Sequence, residues 1–378
     1  MDKKFVMGIA AMAALTLVSC SSDDLDSFSD NSSKNEAISF DGYLGRSAVA
    51  VNGTRGSEEK VTNLQTDGFG VFGNYSKNVT TAYGNNLFEN QLVTYDKSAT
   101  KWTYSPLKFW PSDGHIDFLA YAPYDKSTTL TDGSKINNFT VSGTIADQKD
   151  LLWTNATSQI TADVTSTKEK VNFQFHHALS RLGYTVKLTG DYSSDDVTFT
   201  LKKITLAGSP TDAETGAFYT SGTIDLSIPT GNANLWSDQT GKQKFDWFSG
   251  DYQVKSSTAS HPDEPNKDKD YLFVIPQNFS EKIGGTENPD KLYVIVEYDV
   301  TYKKSGTPST TITNKVYKQL TTNFLQGKAY NLNLTIGLPI EFDVDVTGST
   351  GAGVDGWETP GDGTGDINIG SNENPWER

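Results

Sequence analysis

Four histidines are the residues of this 378-residue chain that most invite a catalytic or metal-binding interpretation. His176 and His177 are adjacent, so in a strand their side chains point to opposite faces and cannot share one ligand set. His177 is in phase with two preceding phenylalanines, which is typical of a hydrogen-bonded histidine at the edge of a core. His115 and His261 stand in polar, turn-like contexts, where we expect solvent-exposed side chains. Because the sequence has no His-Glu-x-x-His motif and no nucleophile elbow, it predicts a protein that is not an enzyme and holds no metal or cofactor.

Cys20 is the only cysteine of the chain, and its position indicates a lipid attachment site. A lone cysteine excludes an intrachain disulfide and a zinc site with several cysteine ligands. It ends the motif Leu17-Val18-Ser19-Cys20, directly after an apolar stretch with the proportions of a signal peptide. The motif resembles the lipobox of bacterial lipoproteins, in which cleavage before the cysteine is followed by lipidation of its thiol. We therefore predict a signal peptide over residues 1–19 and a palmitate-bearing Cys20 anchored in the outer membrane.

Residues 20–36 are rich in Ser, Asp and Asn, and this composition predicts a flexible tether. Its first part, 21–26, resembles the acidic tag that directs Bacteroides-type lipoproteins to the cell exterior. The formal net charge of the whole chain is −15. Such acidity excludes nucleic acid as a partner, since phosphates require stripes of Lys and Arg, and it is typical of a soluble surface protein.

From residue 37 onward, apolar and polar residues alternate with the period of two that is typical of strands. The apolar runs are bounded by turn-forming residues, and roughly a dozen strands exceed the seven to nine of one sandwich. The sequence therefore predicts an all-β fold with two tandem β-sandwich domains, 37–165 and 166–346, before a Gly-rich tail at 347–378. The runs interpreted as strands are 38–44, 68–72, 116–121, 171–175, 184–188, 197–201, 204–206, 271–275, 292–298, 316–320, 330–336 and 340–346.

Several of these stretches, taken in order along the chain, resemble the fimbrillin family of Bacteroides-type bacteria. Together they span residues 38 to 332, and their order makes the likeness specific. The stretches are Ile38-Ser39-Phe40, Thr54-Arg55-Gly56, Phe69-Gly70-Val71-Phe72, Phe109-Trp110-Pro111, the run 116–123, the run 175–182, Val274-Ile275-Pro276-Gln277 and the run 327–332.

The resemblance implies two Greek-key, transthyretin-like sandwiches and export as a lipoprotein. It also implies maturation by an arginine-specific protease, which removes the lipid anchor and the first strand so that a neighbouring subunit's strand can fill the groove. A sandwich that lacks one strand exposes an apolar groove and unpaired backbone groups, and an extended segment satisfies both. We accordingly expect a structural subunit of a cell-surface fimbrium that supports cell adhesion, with other copies of itself or related pilus subunits as partners.

Two arginines are the candidates for this cleavage. Arg46 and Arg55 both follow the strand at 38–44, in a glycine-containing stretch that can enter a protease in extended form. Thr54-Arg55-Gly56 is the more similar to the family's cleavage context, so Arg55 is the first candidate and Arg46 the alternative.

The carboxy-terminal region carries the candidates for a donor strand. Every even position from 340 to 346 is apolar and every odd one acidic, which presents one face for burial. A Gly-rich stretch follows, and a shorter alternation comes after it. The sequence leaves open that 340–346 is the last strand of its own domain, in which case only the tail from Trp357 can donate. The candidate donor residues are Ile340, Phe342, Val344, Val346, Ile367 and Ile369.

An aromatic-dense block leaves a second function open. Such rings usually fill the cores of sandwiches, and we favour this interpretation. Aromatic rings also stack on sugars. Exposed rings would suit a surface lipoprotein that binds glycan or host protein without polymerising. The block comprises Trp102, Tyr104, Phe109, Trp110, Tyr121 and Tyr124.

Overall fold

The computed structural model describes residues 37–44, 61–77, 83–111, 113–159, 170–192, 196–229, 235–263, 271–303, 308–338 and 340–348. Within these ranges, strands dominate, and the helical elements are one α-helix, α1 (Val61–Asp67), and one 3-10 helix (Ile145–Asp147). The prediction of an all-β fold is confirmed. No helix in this described part of the chain is long and apolar enough to cross a membrane.

The strands of the described residues are numbered in chain order. The first eight are β1 (Phe40–Leu44), β2 (Phe69–Ser76), β3 (Phe88–Asp96), β4 (Lys101–Thr103), β5 (His115–Ala122), β6 (Lys135–Thr140), β7 (Leu152–Gln159) and β8 (Val171–His177). The next seven are β9 (Ser180–Leu188), β10 (Val197–Ala207), β11 (Ser221–Asp225), β12 (Trp236–Thr240), β13 (Phe245–Val254), β14 (Leu272–Val274) and β15 (Gln277–Asn278). The last seven are β16 (Lys282–Ile283), β17 (Thr286–Glu287), β18 (Leu292–Tyr302), β19 (Thr310–Leu320), β20 (Asn323–Phe324), β21 (Ala329–Gly337) and β22 (Glu341–Gly348).

A seven-stranded sheet in the order β1-β8-β7-β5-β2-β3-β4 contains the first strand at one edge. The β1–β8 pair is parallel and the other pairs in this sheet are antiparallel. Contacts between distant strands show that the sheet curls. The ring centroid of Phe40 on β1, at one edge, lies 5.5 Å from that of Phe88 on β3, near the other edge. Phe69 on β2 likewise lies 5.2 Å from Phe175 on β8. The curled sheet therefore encloses an aromatic core, which we call the N-terminal core.

The outer face of this sheet is covered by a three-stranded sheet in the order β12-β11-β6. Leu119 and Trp153 on the larger sheet share an apolar cluster with Ile136 on β6 and Ile224 on β11. Cover on both sides explains why all eight residues of β5 are buried.

Two four-stranded sheets, β13-β10-β18-β19 and β14-β9-β21-β22, contribute to one large apolar core. Tyr184 on β9 meets Trp247 on β13 with ring centroids 4.9 Å apart, which joins the two sheets. The two short strands expected at 197–201 and 204–206 are one strand, β10, and this part of the prediction is wrong. A bulge at Lys202 shifts the register between Leu201 and Lys203, and the extra residue breaks the alternation without ending the strand.

Hydrogen bonds link strands on either side of residue 165. β8 pairs with β1 and β7, and β6 pairs with β11. The division into domains 37–165 and 166–346 stays a prediction.

Candidate functional site

The groove that holds β1, which we call its seat, is the feature of the described structure that bears most directly on the strand exchange predicted from the sequence. Parallel pairing with β8 sets the register, with Phe40 opposite Val171 and Gly42 opposite Phe173. Val171 N–H also donates to the Ser39 carbonyl at 2.8 Å. The alternation of apolar and polar residues fixes this register, because a shift of the pairing by one residue would turn the Phe40 side chain out of the core.

On its other side, the chain around Ile38 is held by the segment that precedes β5. Ile38 N–H donates to the Lys108 carbonyl at 2.8 Å, and the Tyr104 hydroxyl donates to the Ile38 carbonyl at 2.7 Å. Burial raises the pKa of Tyr104 further above its ordinary alkaline value. The sequence did not predict these partners, because the segment 104–110 has no strand period and was noted only for its aromatic residues and for the family-like stretch Phe109-Trp110-Pro111.

Phe40 fills an aromatic groove. Its ring centroid lies 5.4 to 5.5 Å from the rings of Phe88, Tyr104, Phe118 and Phe173. Phe40 is 2% exposed, so these contacts are completely desolvated. Burial of the Phe40 side chain contributes about 1.5–3 kcal/mol to holding β1 in this seat, in addition to the strand pairing with β8.

Gly42 is placed where a side chain would be tightly packed. A Cβ atom at this position would lie 3.1 Å from Phe69 Cε1 and 3.4 Å from Phe175 Cε2. The absence of a side chain lets the strand approach these two rings closely. A segment that replaced β1 here would fit with least rearrangement if it carried a small residue at the same register position.

The predicted alternation at 340–346 forms part of β22, an edge strand. β22 pairs antiparallel with β21 from Glu341 opposite Gly337 to Gly348 opposite Tyr330. Val344 and Val346 are each 1% exposed and belong to the large core, Phe342 is half-buried and Ile340 is 46% exposed. The structure therefore places the last three candidate residues of this segment in the chain's own sheet. The acidic face is turned outward, where Asp343 pairs with Lys318 of β19.

Five sequence-predicted site residues lie outside the described residues. They are the lipidation candidate, the two cleavage candidates and the two tail residues of the donor prediction: Cys20, Arg46, Arg55, Ile367 and Ile369.

The histidines show one confirmed expectation and two errors. His177 is buried, and its Nδ1 lies 2.6 Å from Asp150 Oδ2. The expectation that His115 and His261 are solvent-exposed is wrong, since they are 9% and 2% exposed. His115 Nε2 lies 3.1 Å from Asp117, a partner two residues along the same strand and hence on the same face. Nδ1 of His261 accepts a 3.1 Å hydrogen bond from a backbone N–H. No group of three potential metal ligands occurs among the residues described here.

The aromatic block divides between core and surface. Trp102, Trp110 and Tyr121 are buried, as the core interpretation predicts. Tyr104 and Tyr124 are half-buried, and Phe109 is 50% exposed. Half-buried Tyr104 also packs against the N-terminal core, so the expectation of a core role is correct for four of the six residues.

Comparison with known proteins supplies the family. The sequence model of the fimbrillin-like family matches residues 54–354. A fimbrial protein from Bacteroides vulgatus is similar in structure, with 21% identity, a TM-score of 0.61, and coverage of 83% of this chain and 99% of the other. A proposed cell adhesion protein from Bacteroides uniformis aligns with 18% identity, a TM-score of 0.44, and coverage of 83% of this chain and 99% of the other.

No curated protein matches the chain by sequence. At 21% identity, the likeness to the Bacteroides vulgatus protein shows a shared fold. The match to the family's sequence model extends over well more than half of the chain, from the stretch after β1 to beyond β22. This chain therefore belongs to the fimbrillin-like family.

Proposed function

We propose that this protein is a structural subunit of a cell-surface fimbrium, exported as a lipoprotein and polymerised by strand exchange after proteolytic removal of β1. Membership of the fimbrillin-like family supports a structural, non-enzymatic protein at the cell surface, as expected from the sequence. In this proposal Cys20 carries the lipid that anchors the precursor in the outer membrane, and assembled fibres support adhesion.

The observation that carries the proposal is the position of β1 as a separable edge strand in an aromatic groove. Its sheet partner along the strand is β8, and its apolar face lies on Phe88, Tyr104, Phe118 and Phe173. Loss of residues 38–44 would leave those rings exposed, the Val171 N–H without its Ser39 acceptor and the Lys108 carbonyl without its Ile38 donor. An extended strand with alternating apolar residues satisfies all of these groups at once.

The arginines of the chain restrict where an arginine-specific protease would act. Four arginines occur, and Arg181 is 4% exposed within β9, with its guanidinium 4.2 Å from the Tyr271 ring centroid. A protease needs an extended, accessible segment, so Arg181 is protected while the protein is folded. Cleavage after Arg55, or alternatively Arg46, would separate β1 from β2 in the sequence.

The proposed donor is a carboxy-terminal segment, and two forms are open to test. In the first, β22 leaves β21 and inserts Phe342, Val344 and Val346 into a neighbouring groove. Because Val344 and Val346 are fully buried, this form exposes core unless the new seat buries them again. In the second, β22 stays in place and the tail from Trp357, with Ile367 and Ile369, donates.

Cleavage-dependent assembly tests the proposal. The purified precursor would be treated with an arginine-specific protease, and polymers measured by size-exclusion chromatography and electron microscopy. We expect polymers only after cleavage, and a large loss of polymer for Arg55→Ala or for Arg55→Ala combined with Arg46→Ala. Lys60→Ala, a basic residue in the same segment, is the matched control and should assemble normally. Polymers that retain residues 38–44 would refute the proposal.

Two further variants identify the donor. One carries Phe342→Asp with Val344→Asp, and the other lacks residues 357–378. If the first fails to fold while the second folds but does not assemble, the tail is the donor. If both fold and both form fibres, strand donation from this end of the chain is wrong.

The alternative function is a surface lipoprotein adhesin that does not polymerise and binds glycan or host protein. One observation favours it, a cavity whose walls include Tyr124 of the aromatic block. An intact β1 in protein recovered from the cell surface, together with no fibres, would establish this alternative.

A further inference from the structure

A cavity of about 570 Å³ lies on the opposite face of the seven-stranded sheet from the seat of β1. We call it the Tyr124 pocket, and it is built by the β5–β6 loop, β6 and the residues just before β7. Its volume and its combination of aromatic walls with polar side chains are typical of small-ligand sites. The lining residues that matter here are Tyr121, Tyr124, Lys126, Phe139, Lys149 and Leu151.

The loop that carries Tyr124 and Lys126 is fixed by hydrogen bonds. The Asn90 side-chain amide donates to the carbonyl oxygens of Asp125 and Thr128, each at 2.9 Å. Asp125 N–H also donates to the hydroxyl of Tyr121 at 3.2 Å. A loop held at these points presents its side chains with little ordering cost when a ligand binds.

The opposite wall is equally fixed. Lys149 lies between Gln148 and Asp150, and the side chains of both neighbours are buried. Gln148 Oε1 accepts a 2.8 Å hydrogen bond from the Phe273 N–H, and Asp150 Oδ2 lies 2.6 Å from His177 Nδ1. These two anchors hold the backbone of Lys149 and direct its long side chain toward the cavity that it lines.

The rim of the pocket is locally positive on an acidic protein. Lys126 and Lys149 are exposed, and neither forms a close ion pair with a residue in the described ranges. Hydrogen bonds from Ser127 and, to a smaller extent, the nearby charges of Lys149 and Lys126 lower the pKa of Asp125. Asp125 is the exposed acid of the lining, and its Oδ1 already accepts hydrogen bonds from Ser127 N–H at 2.8 Å and Ser127 Oγ at 2.7 Å. Two exposed lysines against one exposed acid leave the rim with an excess of positive charge, on a chain whose net charge is −15. Together with the aromatic rings beside them, they favour an anionic ligand.

We infer that the Tyr124 pocket binds an acidic saccharide of one or two rings. The apolar face of the sugar packs on Tyr124 and Phe139, and the sugar carboxylate lies between Lys126 and Lys149. Aromatic rings bury such apolar faces, and lysines bind carboxylates through charge-assisted hydrogen bonds. A concave site of this volume suits a ring-shaped ligand better than an extended peptide, which pairs with a sheet edge. This inference goes beyond the proposed function and does not depend on polymerisation.

Calorimetry on the purified, unpolymerised full chain tests the inference. The probes are the methyl glycosides of glucuronic acid and N-acetylneuraminic acid, and methyl glucoside is the neutral match for the first. We expect at least one acidic glycoside to bind about tenfold or more tightly than methyl glucoside. Higher salt should weaken that binding, because screening reduces the attraction of exposed lysines.

Variants locate the site. Lys149→Ala, Lys126→Ala and Tyr124→Ala should each weaken binding of the acidic glycoside by about tenfold. Matched controls are Lys97→Ala, an exposed lysine in the β3–β4 turn, and Phe109→Ala, an exposed ring. Both controls should bind normally. Failure of both acidic glycosides to bind, equal affinity for methyl glucoside, or unchanged affinity in the three pocket variants overturns the inference, and none of these outcomes bears on strand exchange.

Discussion

At the scale of single residues, Phe40 links the sequence pattern to the proposed assembly. Four aromatic rings surround it, and it is 2% exposed. Phe109 belongs to a neighbouring segment but is 50% exposed. The alternation around Phe40 predicted that its ring faces a core, whereas nothing in the sequence indicated which rings would form that core.

Replacement of Phe40 by alanine should lower the free energy of unfolding by about 3–5 kcal/mol, because it opens a cavity among rings that cannot collapse. Phe109→Ala makes the same chemical change at an exposed site and should alter stability by less than about 0.5 kcal/mol. Urea denaturation of both variants measures the difference. Equal effects would mean that β1 does not occupy the groove in solution.

Ionisation of Tyr298 should make the free energy of unfolding depend on pH in the alkaline range. Burial, with smaller effects from neighbouring charges, raises the pKa of Tyr298 to about 12. The unfolded chain would ionise this phenol near pH 10, while the folded chain keeps it neutral. Its contribution to stability is therefore fully present below about pH 10 and is lost as the pH rises to about 12, on the order of 2–3 kcal/mol.

Tyr298→Phe should remove that alkaline loss. Its cost at neutral pH should be small, because the Tyr298 hydroxyl reaches the Gly337 carbonyl only at 3.5 Å. Tyr302→Phe, at a 38% exposed position of the same strand, is the control. The check is the free energy of unfolding at pH 8 and pH 11.5, and an identical alkaline loss in Tyr298→Phe and wild type would contradict the assignment.

At the scale of elements, the alternation of apolar and polar residues predicted the positions of strands well, because one face of a strand must be buried. All twelve predicted runs overlap observed strands. Polar strands such as β6 and β12 were missed, since few of their side chains are buried and their alternation is weak. Sheet order could not be predicted, because pairs such as β6 with β11 join segments distant in sequence.

The alternation in β22 predicts which of its side chains contribute to stability, and substitutions can test this. Val344→Ala should lower the free energy of unfolding by about 2 kcal/mol, since it removes two buried methyl groups from the large core. Ile340→Ala, at a 46% exposed position, should change it by less than about 0.5 kcal/mol. The measurement is chemical denaturation, and a reversed order would mean that β22 is not packed on β21.

At the scale of the whole molecule, the sequence resemblance predicted the family, and the match over residues 54–354 confirms it. The candidate site was predicted only in part. Strand 38–44 was identified as the piece to be removed, but its seat depends on Tyr104, Lys108 and β8, which come together only in the folded chain. The Tyr124 pocket was not predicted, because the β5–β6 loop, β6 and the residues before β7 come together only in the folded chain.

The amino-terminal sequence of the subunits in fibres sheared from cells tests the central claim most directly. Cleavage after Arg55 gives subunits that begin at Gly56, and cleavage after Arg46 gives subunits that begin at Ser47. Either start removes β1 and frees its groove for a donor strand. Fibre subunits that begin at Cys20 or Ser21, with Phe40 still in place, would contradict strand exchange at this groove.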